Sequence, residues 1–163
     1  MNIVLRLGSN LGEREEHLRR AIASLEQRQV RVLQSASLYI TEPRDITDQP
    51  WFINTVFTVE TQWRPMELLA QCLEVEREAG RVRTFIGGPR PLDIDILFYG
   101  SLEFRAEGLI IPHPRYADRR FVLVPLVELA PEYRDPVRGQ TMRELLKQCT
   151  DTGEVRLYAA PLL

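Results

Sequence analysis

The chain has 163 residues, of which 44% are hydrophobic and 27% are charged, a balance that is ordinary for one soluble globular domain. This composition excludes a disordered chain, a collagen-like repeat and a coiled coil, and we expect a single domain over residues 1–163. The formal net charge of −2 provides no global positive charge to attract nucleic acid or an acidic membrane.

The basic side chains are unusual in kind, because 20 of the 21 are arginine and Lys147 is the one lysine. Arginine forms bidentate contacts with phosphate and carboxylate groups. A GC-rich genome would produce the same count, so the positions of the arginines carry more information than their number.

We expect a cytoplasmic protein. The first residues lack the basic segment and long apolar stretch of a signal peptide, and no apolar run approaches the roughly 20 residues of a membrane span. Cys72 and Cys149 are far apart in sequence, and Cys72 lies in an apolar helical pattern that predicts a buried free thiol. A reducing compartment suits this usage of cysteine.

Hydrophobic periodicity predicts alternating strands and helices. In chain order we expect a strand at 3–7, a helix from about residue 13, extended chain at 30–39, a strand at 52–60, a helix at 65–79, strands at 92–99 and 109–111, a buried helix at 121–129 and a last helix at 142–149. This order favours an α+β sandwich.

Two of the helices have recognisable ends. Pro65 suits the first turn of the helix at 65–79 and Gly80 suits its stop, whereas Thr141 and Glu144 form a capping box for the last helix. The helical spacing predicts that one side of the helix at 65–79 carries Met66, Leu69, Cys72, Leu73 and Glu76.

The sharpest chemical feature is the pair Asp93 and Asp95 in the predicted strand at 92–99. Side chains two residues apart on a strand point the same way, so these carboxylates share a face, with Cα atoms roughly 6.5–7 Å apart. We expect Leu92, Ile94, Ile96 and Phe98 to point into the core. One or two Mg²⁺ ions would offset the repulsion between the acids. On the D-x-D pattern alone, a solvent-facing strand edge with two incidental acids is the favoured interpretation, because the pattern is short.

The loop before this strand favours the first interpretation. It contains Arg81, Arg83 and Arg90, and arginines beside a metal-binding carboxylate pair suit a polyphosphate. Gly87 and Gly88 allow such a loop to open and close. A loop that is merely charged and solvated is the alternative.

Two further segments offer polar and aromatic groups for a ligand. His113 lies between prolines and close to arginines, so it could donate to a phosphate, although a lone histidine is more often structural. Asn54 is unusual in a strand, and its amide matches the edge of a heterocycle. Phe52 shares its face and could stack on that ring. A tolerated asparagine in an edge strand is the plain alternative.

The chain resembles the 6-hydroxymethyl-7,8-dihydropterin pyrophosphokinase family of folate biosynthesis. The resemblance covers most of the chain, and the motif G-P-R-x-L-D-x-D is specific. It rests on the runs L-G-S-N-L at 7–11, D-Q-P-W-F-I-N at 48–54, G-R-V-R at 80–83, G-P-R-P-L-D-I-D-I at 88–96, I-P-H at 111–113 and R-R-F at 119–121.

The resemblance implies a ferredoxin-like α/β sandwich, mainly an antiparallel sheet with helices packed on it, and a monomer. It also implies a Mg²⁺-dependent enzyme that transfers the diphosphate of ATP to the hydroxymethyl group of the pterin and releases AMP. Its partners would then be two small molecules, ATP and the pterin, with no nucleic acid and no membrane.

The resemblance also implies roles for individual residues. Asp93 and Asp95 would hold two Mg²⁺ ions and, with Arg81 and Arg90, form the catalytic set. The ATP-binding residues would be Glu76, Arg81, Arg83, Arg90, His113 and Arg119. The pterin-binding residues would be Thr41, Phe52, Asn54 and Phe121.

The sequence departs from the family in the segment before the G-P-R motif. Family members often carry a lysine and a tryptophan there, whereas this chain has Thr84-Phe85-Ile86-Gly87. Phe85 is the candidate to replace the tryptophan as the cover on the pterin. Leu73 stands where the family often has a glutamine near the adenine. We expect these changes to affect closure of the loop and the turnover rate.

Two other classes of function fit part of the pattern. A nucleotidyltransferase or nuclease could use the same D-x-D pair, but it would release pyrophosphate or cut a strand instead of forming AMP. A ferredoxin-like ligand-sensing module would bind its ligand without Mg²⁺ and without forming AMP.

Overall fold

A six-stranded antiparallel sheet forms the centre of the computed structural model, which describes residues 3–44, 46–80 and 88–163. In chain order the elements are β1 (Ile3–Ser9), α1 (Arg14–Gln27), β2 (Val30–Ser35), β3 (Leu38–Thr41), β4 (Phe52–Thr61), α2 (Pro65–Glu78), β5 (Asp93–Tyr99), β6 (Phe104–Ala106), β7 (Leu109–Ile111), a 3₁₀ turn (Tyr116–Asp118), α3 (Arg120–Leu129), α4 (Met142–Gln148) and β8 (Val155–Ala159). The sheet order is β5-β1-β4-β3-β8, β2 pairs with β4 beside β3, and β6 and β7 form a separate hairpin.

The sheet separates two hydrophobic cores because the side chains of each strand alternate between its faces. On β1, Leu5 and Leu7 belong to the core that packs against α1 and α2, whereas Val4 belongs to the core under α3 and α4. The βαβββαβ order of the elements from β1 to β5, with helices packed on an antiparallel sheet, confirms the expected α+β sandwich.

The second face of the sheet is only partly covered by α3 and α4. Toward one end its apolar residues give way to polar ones, since Val4 is followed on the same face of β1 by Arg6 and Gly8, and Val56 of β4 is preceded there by Asn54. The candidate site described below lies at this end.

The strand expected at 30–39 is divided in two. β2 and β3 pair with different halves of the long strand β4. The strand is interrupted at residues 36–37, where the Ala36 N–H donates to the Val56 carbonyl at 2.9 Å. β6 and β8 were not expected from the sequence. The buried helix expected at 121–129 is α3, which runs unbroken through Pro125.

Phe98 is buried in a hydrophobic core as expected, but in the core on the opposite face of the sheet from the one that holds Ile94 and Ile96. The register against β1 shifts between Val4 and Leu5, which pair with Phe98 and Ile96, so that Leu97 is an extra residue on β5. This irregularity turns Phe98 to the face of α3 and α4, where it packs edge-to-face on Tyr116 with ring centroids 5.0 Å apart.

The buried side of α2 also differs from the expected one. Leu68, Cys72, Val75 and Glu76 are buried, whereas Met66 and Leu73 are 41% and 49% exposed. α2 contacts both α1 and β5. The side of α2 that faces these two elements includes Leu68 and Val75 in place of the predicted Met66 and Leu73. The burial of the free thiol of Cys72 and the Pro65 start are confirmed.

Within the described part of the chain, no helix has both the length and the apolar character needed to cross a lipid bilayer.

Candidate active site

An open cavity of about 180 Å³ lies on the partly covered face of the sheet. Its walls carry five arginines and three acidic side chains, together with two amides and two phenyl rings. The lining residues used below are Arg6, Thr41, Phe52, Asn54, Arg90, Asp93, Arg115, Arg119 and Phe121.

Strand register explains why these side chains meet. Gly8 of β1 pairs with Asn54 of β4 on one side and with Asp93 of β5 on the other, and Arg6 pairs with Asp95. Because cross-strand partners point to the same face, β1 lies between the acid pair and the amide. The expected common orientation of Asp93 and Asp95 agrees with their half-buried side chains, which are 17% and 23% exposed.

Arg6 is the residue that sequence reasoning missed. It is 3% exposed and donates from Nε to Asp95 Oδ2 at 2.8 Å, from Nη1 to Asn54 Oδ1 at 2.5 Å and from Nη2 to Asp93 Oδ2. Burial alone would lower the pKa of its guanidinium, but the charges of Asp95 and Asp93 outweigh burial and hold this pKa above its ordinary value. A signal was available, since an arginine inside an otherwise apolar strand requires a partner of opposite charge.

The amide of Asn54 is fixed at both ends. Its Oδ1 accepts from Arg6, and its Nδ2 donates to Thr41 Oγ1 at 2.7 Å. Asn54 and Thr41 are each 1% exposed. Their neighbour Gly8 has no room for a side chain, because a Cβ there would lie 2.3 Å from Asn54 Oδ1 and 2.5 Å from Arg6 Nη1.

Two aromatic rings in the cavity each have an arginine over them. The guanidinium carbon of Arg90 is 5.4 Å from the centroid of Phe52, and those of Arg6 and Arg119 are 5.4 Å and 5.9 Å from the centroid of Phe121. Burial, together with the charge of Arg6, lowers the pKa of Arg119 from its ordinary value.

Arg90 combines a fixed backbone with an available donor. Its N–H donates to Asn10 Oδ1 at 2.8 Å, and its carbonyl accepts from the Asn10 N–H at 3.1 Å. Its buried Nε has no hydrogen-bond partner within the described residues and lies 3.6 Å from Asp93 Oδ2. A buried donor of this kind suits an anionic ligand.

Asn10 connects the segments that frame the cavity. It is 1% exposed, and besides its bonds with Arg90 it donates from Nδ2 to Gln49 Oε1 at 2.8 Å and to the Pro50 carbonyl at 3.0 Å. The turn after β1 therefore holds together the loop before β4 and the loop before β5.

Two expected ATP-binding residues lie outside the cavity lining. Glu76 on α2 is 5% exposed and accepts from the Ile94 N–H of β5 at 2.7 Å. His113 is half-buried, and its Nδ1 accepts from the Arg115 N–H at 3.1 Å. Burial, reinforced by the charges of Arg119 and Arg6, lowers the pKa of His113 and favours the neutral imidazole.

Several sequence-predicted features lie beyond the described residues or away from the cavity. Arg81, Arg83 and the segment 84–87 fall outside the described residues. Leu73, half of whose surface is exposed, is not among the residues that line the cavity.

The donor set for a metal ion is small. Among residues 3–44, 46–80 and 88–163 there is no group of three or more histidine, cysteine or acidic side chains placed to hold one. Mg²⁺ in nucleotide enzymes commonly takes one or two carboxylates and completes its coordination with phosphates and water. Asp93 and Asp95 fit that pattern for one ion, whereas a second ion would meet Oδ2 atoms already bonded to Arg6.

Arginines, Asp93 and a fixed amide line one cavity of the α+β sandwich, and Asp95, which is not among the lining residues, bonds to Arg6 in its wall. This arrangement defines a domain suited to a phosphate-bearing ligand and a heterocycle. Sequence comparison supplies the family. A profile of 7,8-dihydro-6-hydroxymethylpterin-pyrophosphokinase matches residues 4–131. The chain belongs to this family.

Relatives of two sizes match. The chain is 42% identical over 153 residues to 2-amino-4-hydroxy-6-hydroxymethyldihydropteridine pyrophosphokinase of Bacillus subtilis, covering 93% of this chain and 87% of the relative. It is 39% identical over 157 residues to folic acid synthesis protein fol1 of Schizosaccharomyces pombe, covering 96% of this chain. The chain spans 21% of that fungal protein, about a fifth of its length.

Solved structures match in fold. A crystal structure of Plasmodium falciparum HPPK-DHPS superposes with a TM-score of 0.71 at 16% identity, covering 90% of this chain and 45% of that one. At this identity the match concerns the fold, and it agrees with the α+β arrangement described above.

Proposed function

We propose that this protein transfers the diphosphate of ATP to the hydroxyl of 6-hydroxymethyl-7,8-dihydropterin and releases AMP. The observation that carries the proposal is the cavity lined by the fixed amide of Asn54, by Asp93 and by Arg90 and Arg119. Asp95 is not among the lining residues and is joined to the cavity through its bond with Arg6. Family membership names the substrates, and the cavity offers matching chemistry to each of them.

The phosphate side of the reaction is assigned to the arginines. In an in-line displacement the pterin hydroxyl oxygen attacks the β-phosphorus, and the bond from that phosphorus to the oxygen of AMP breaks. Arg90, with its available buried Nε, and Arg119 would offset the charge that spreads over the transferred group. Arg81, Arg83, Glu76 and His113 remain predictions for the ATP site.

The pterin side is assigned to Asn54 and the two rings. Because Arg6 and Thr41 hold the amide of Asn54 in one orientation, it would present a fixed donor and acceptor to the heterocycle. Phe52 and Phe121 would pack on the faces of the ring. Holding both reactants in place accounts for most of the catalysis, so no strong base is required.

Asp93 and Asp95 would hold Mg²⁺ that enters with ATP, and this ion would neutralise charge on the transferring phosphates. ATP as co-substrate follows from the family. The resemblance implies two ions, and that number is a prediction that the geometry of Arg6 addresses below.

We further propose a cytoplasmic monomer formed by one domain over residues 1–163 that acts on small molecules and binds neither nucleic acid nor membranes. The net charge of −2 supports the absence of a nucleic-acid substrate, and the five arginines that line the cavity surround a space of about 180 Å³, which suits a small ligand.

The reaction is tested by chromatography of nucleotides after incubation with ATP, Mg²⁺ and the pterin. Formation of AMP in step with the pterin diphosphate is expected. Release of pyrophosphate without pterin diphosphate would indicate a nucleotidyltransferase, and ligand binding without AMP would indicate a sensing module.

Asp95→Ala tests the acid pair. We expect this variant to lose transfer while remaining folded, since Arg6 keeps its bond to Asp93. The exposed Glu107, in the turn between β6 and β7, provides the matched control Glu107→Ala, which should behave like the wild type. Retained AMP formation by Asp95→Ala would contradict the assignment.

A further inference from the structure

Arg6 is a fixed cation between the two carboxylates of the acid pair. It reaches Oδ2 of both Asp93 and Asp95 with separate N–H groups, and its side chain is 3% exposed. Its charge is permanent, because a guanidinium does not lose its proton in proteins. The acid pair is therefore partly neutralised by the chain itself.

Two divalent ions that share such a carboxylate pair lie about 3.5–4 Å apart and draw on the same oxygen atoms. Here one Oδ2 of each aspartate already accepts from Arg6, with the Asp95 bond at 2.8 Å. A second ion bound at these Oδ2 atoms would have to displace N–H donors from both carboxylates, and a second ion anywhere between the acids would lie beside a positive charge of the protein.

We propose that Arg6 occupies the place of one of the two divalent ions, so that Asp93 and Asp95 bind a single Mg²⁺, the one that arrives with ATP. This inference rests on the proposed function, since it concerns how the same site handles a metal–nucleotide complex.

Contacts that do not involve the acids keep Arg6 in this place. Nη1 donates to Asn54 Oδ1 at 2.5 Å, and the guanidinium carbon lies 5.4 Å from the ring centroid of Phe121. A side chain at Gly8 would collide with both ends of the bond between Arg6 and Asn54. β1 is also an inner strand of the sheet, and its backbone is hydrogen-bonded to β5 on one side and to β4 on the other. This pairing fixes the position of the Arg6 backbone.

The proposal has a kinetic consequence. If the only ion required enters with ATP, the rate should stop rising once all ATP is complexed with Mg²⁺. An enzyme that requires a second ion would continue to respond to free Mg²⁺ beyond that point.

The direct experiment counts bound Mn²⁺, which substitutes for Mg²⁺ and is measured through the electron paramagnetic resonance signal of the free ion. The wild-type protein is titrated with Mn²⁺ in the presence of α,β-methylene-ATP, whose bridge cannot be cleaved, and of the pterin. One ion per chain is expected. Two ions per chain in the wild-type protein would overturn the proposal without any variant.

Arg6→Met tests whether Arg6 is the cause, because methionine retains much of the length of the side chain without its charge. We expect this variant to bind two Mn²⁺ ions per chain. The exposed Arg31 on β2 gives the matched control Arg31→Met, which should bind one. A count of one in folded Arg6→Met would also overturn the proposal.

Thermal unfolding provides a second readout without nucleotide. Losing Arg6 leaves the two carboxylates to repel each other, so Arg6→Met should have a lower Tm than the wild type, and Mn²⁺ should raise its Tm more than that of the wild type. If Arg6→Met does not fold, Arg6→Lys retains a charge and should bind one ion, and a count of two would contradict the proposal.

Failure of this inference is distinguishable from failure of the proposed function. If the wild-type protein forms AMP but binds two ions, the proposed function holds and the proposed role of Arg6 is wrong. A wild-type protein that forms no AMP with the pterin loses the proposed function, whatever its metal count.

Discussion

The amide of Asn54 shows how single hydrogen bonds can set specificity in this site. A flip of about 180° at the side-chain amide of an asparagine exchanges the positions of Oδ1 and Nδ2. The hydrogen-bond donor and acceptor that a heterocycle meets would then be reversed. Thr41 prevents this on one side by accepting from Nδ2 at 2.7 Å, and Arg6 prevents it on the other by donating to Oδ1. The side chain of Thr41 is thus a positioning group for Asn54, in addition to the pterin-binding role that the resemblance implied for this residue.

Thr41→Val should raise the KM for the pterin about 2–12-fold, because one neutral hydrogen bond contributes about 0.5–1.5 kcal/mol. The valine has nearly the shape of threonine but cannot accept from Asn54. Thr41→Ser retains the hydroxyl and serves as the control, with a KM close to that of the wild type. Steady-state kinetics in pterin at saturating ATP would measure the effect, and equal KM values for both variants would contradict the role.

Gly8→Ala should destabilise the protein by about 1–3 kcal/mol, the usual cost of forcing an extra methyl group into a packed site. The new Cβ would lie 2.3 Å from Asn54 Oδ1 and 2.5 Å from Arg6 Nη1. Urea unfolding would measure the loss. In an Asn54→Ala background the same change should cost less, since the nearest atom is gone, and strictly additive effects would count against the collision.

At the scale of elements, the features that the sequence could predict depend on short-range pattern. The shared face of Asp93 and Asp95 follows from the two-residue period of a strand. The capping box of α4 is present as expected, with the Glu144 N–H donating to Thr141 Oγ1 at 3.1 Å and the Thr141 N–H donating to Glu144 Oε1 at 3.0 Å. Each of these depends on residues close in sequence.

The features that the sequence did not reveal depend on long-range pairing. Arg6 becomes a site residue only through the register that sets it opposite Asp95, 89 positions later in the chain. Phe98 changes face because of an irregularity between two strands, which no local pattern encodes. β8 is a five-residue strand at the far edge of the sheet with three exposed central residues, and it pairs with β3, which lies more than 100 positions earlier in the chain.

The contact between α2 and β5 supports the acid pair from outside the sheet. β5 is an edge strand, so an N–H on its outer side needs a partner other than a strand, and Glu76 accepts the Ile94 N–H at 2.7 Å. Ile94 lies between Asp93 and Asp95 in sequence. The burial of an acidic residue on α2 is therefore explained by support of this strand.

Glu76→Ala should lower the free energy of unfolding by about 1–3 kcal/mol, because it leaves a buried N–H without its acceptor. Glu76→Gln keeps a carbonyl oxygen at the same reach and should recover most of the loss. Denaturant unfolding compares the stabilities, and AMP formation reports the position of the acid pair. If Glu76→Gln kept full stability but bound ATP much more weakly, the direct role in the ATP site implied by the resemblance would be favoured instead.

At the scale of the whole molecule, the two cores serve different purposes. The core under α1 and α2 is apolar along the length of the sheet, whereas the core under α3 and α4 ends at the cavity. This second core is tied to the segment between α3 and α4 by a polar contact, since the buried hydroxyl of Tyr116 donates to Asp135 Oδ2. Tyr116 packs on Phe98 of the sheet, so this contact joins the segment to β5.

The Asp135 carboxylate should make stability depend on pH in the acid range. Burial alone would raise its pKa, but donors from Tyr116, from the Val137 N–H at 2.7 Å and from Arg138 at 2.9 Å and 3.0 Å outweigh burial and lower it below the usual value. The folded state therefore binds the proton less tightly than the unfolded chain. This contribution is fully present above the ordinary pKa of about 3.8 and is lost as the pH falls below it.

Asp135→Asn separates this group from the other carboxylates that titrate in acid. The amide keeps one oxygen but replaces the second acceptor by a donor that faces N–H groups, so the variant should be less stable at pH 7 by about 1–3 kcal/mol. As the pH falls toward 3, the wild type loses the advantage of its carboxylate, and the difference between the two proteins should shrink. Urea unfolding of both proteins at intervals between pH 7 and pH 3 gives this difference directly, with the exposed Asp48→Asn as the control for a simple loss of charge. A constant difference across that range would show that the loss comes from packing and not from the ionised carboxylate.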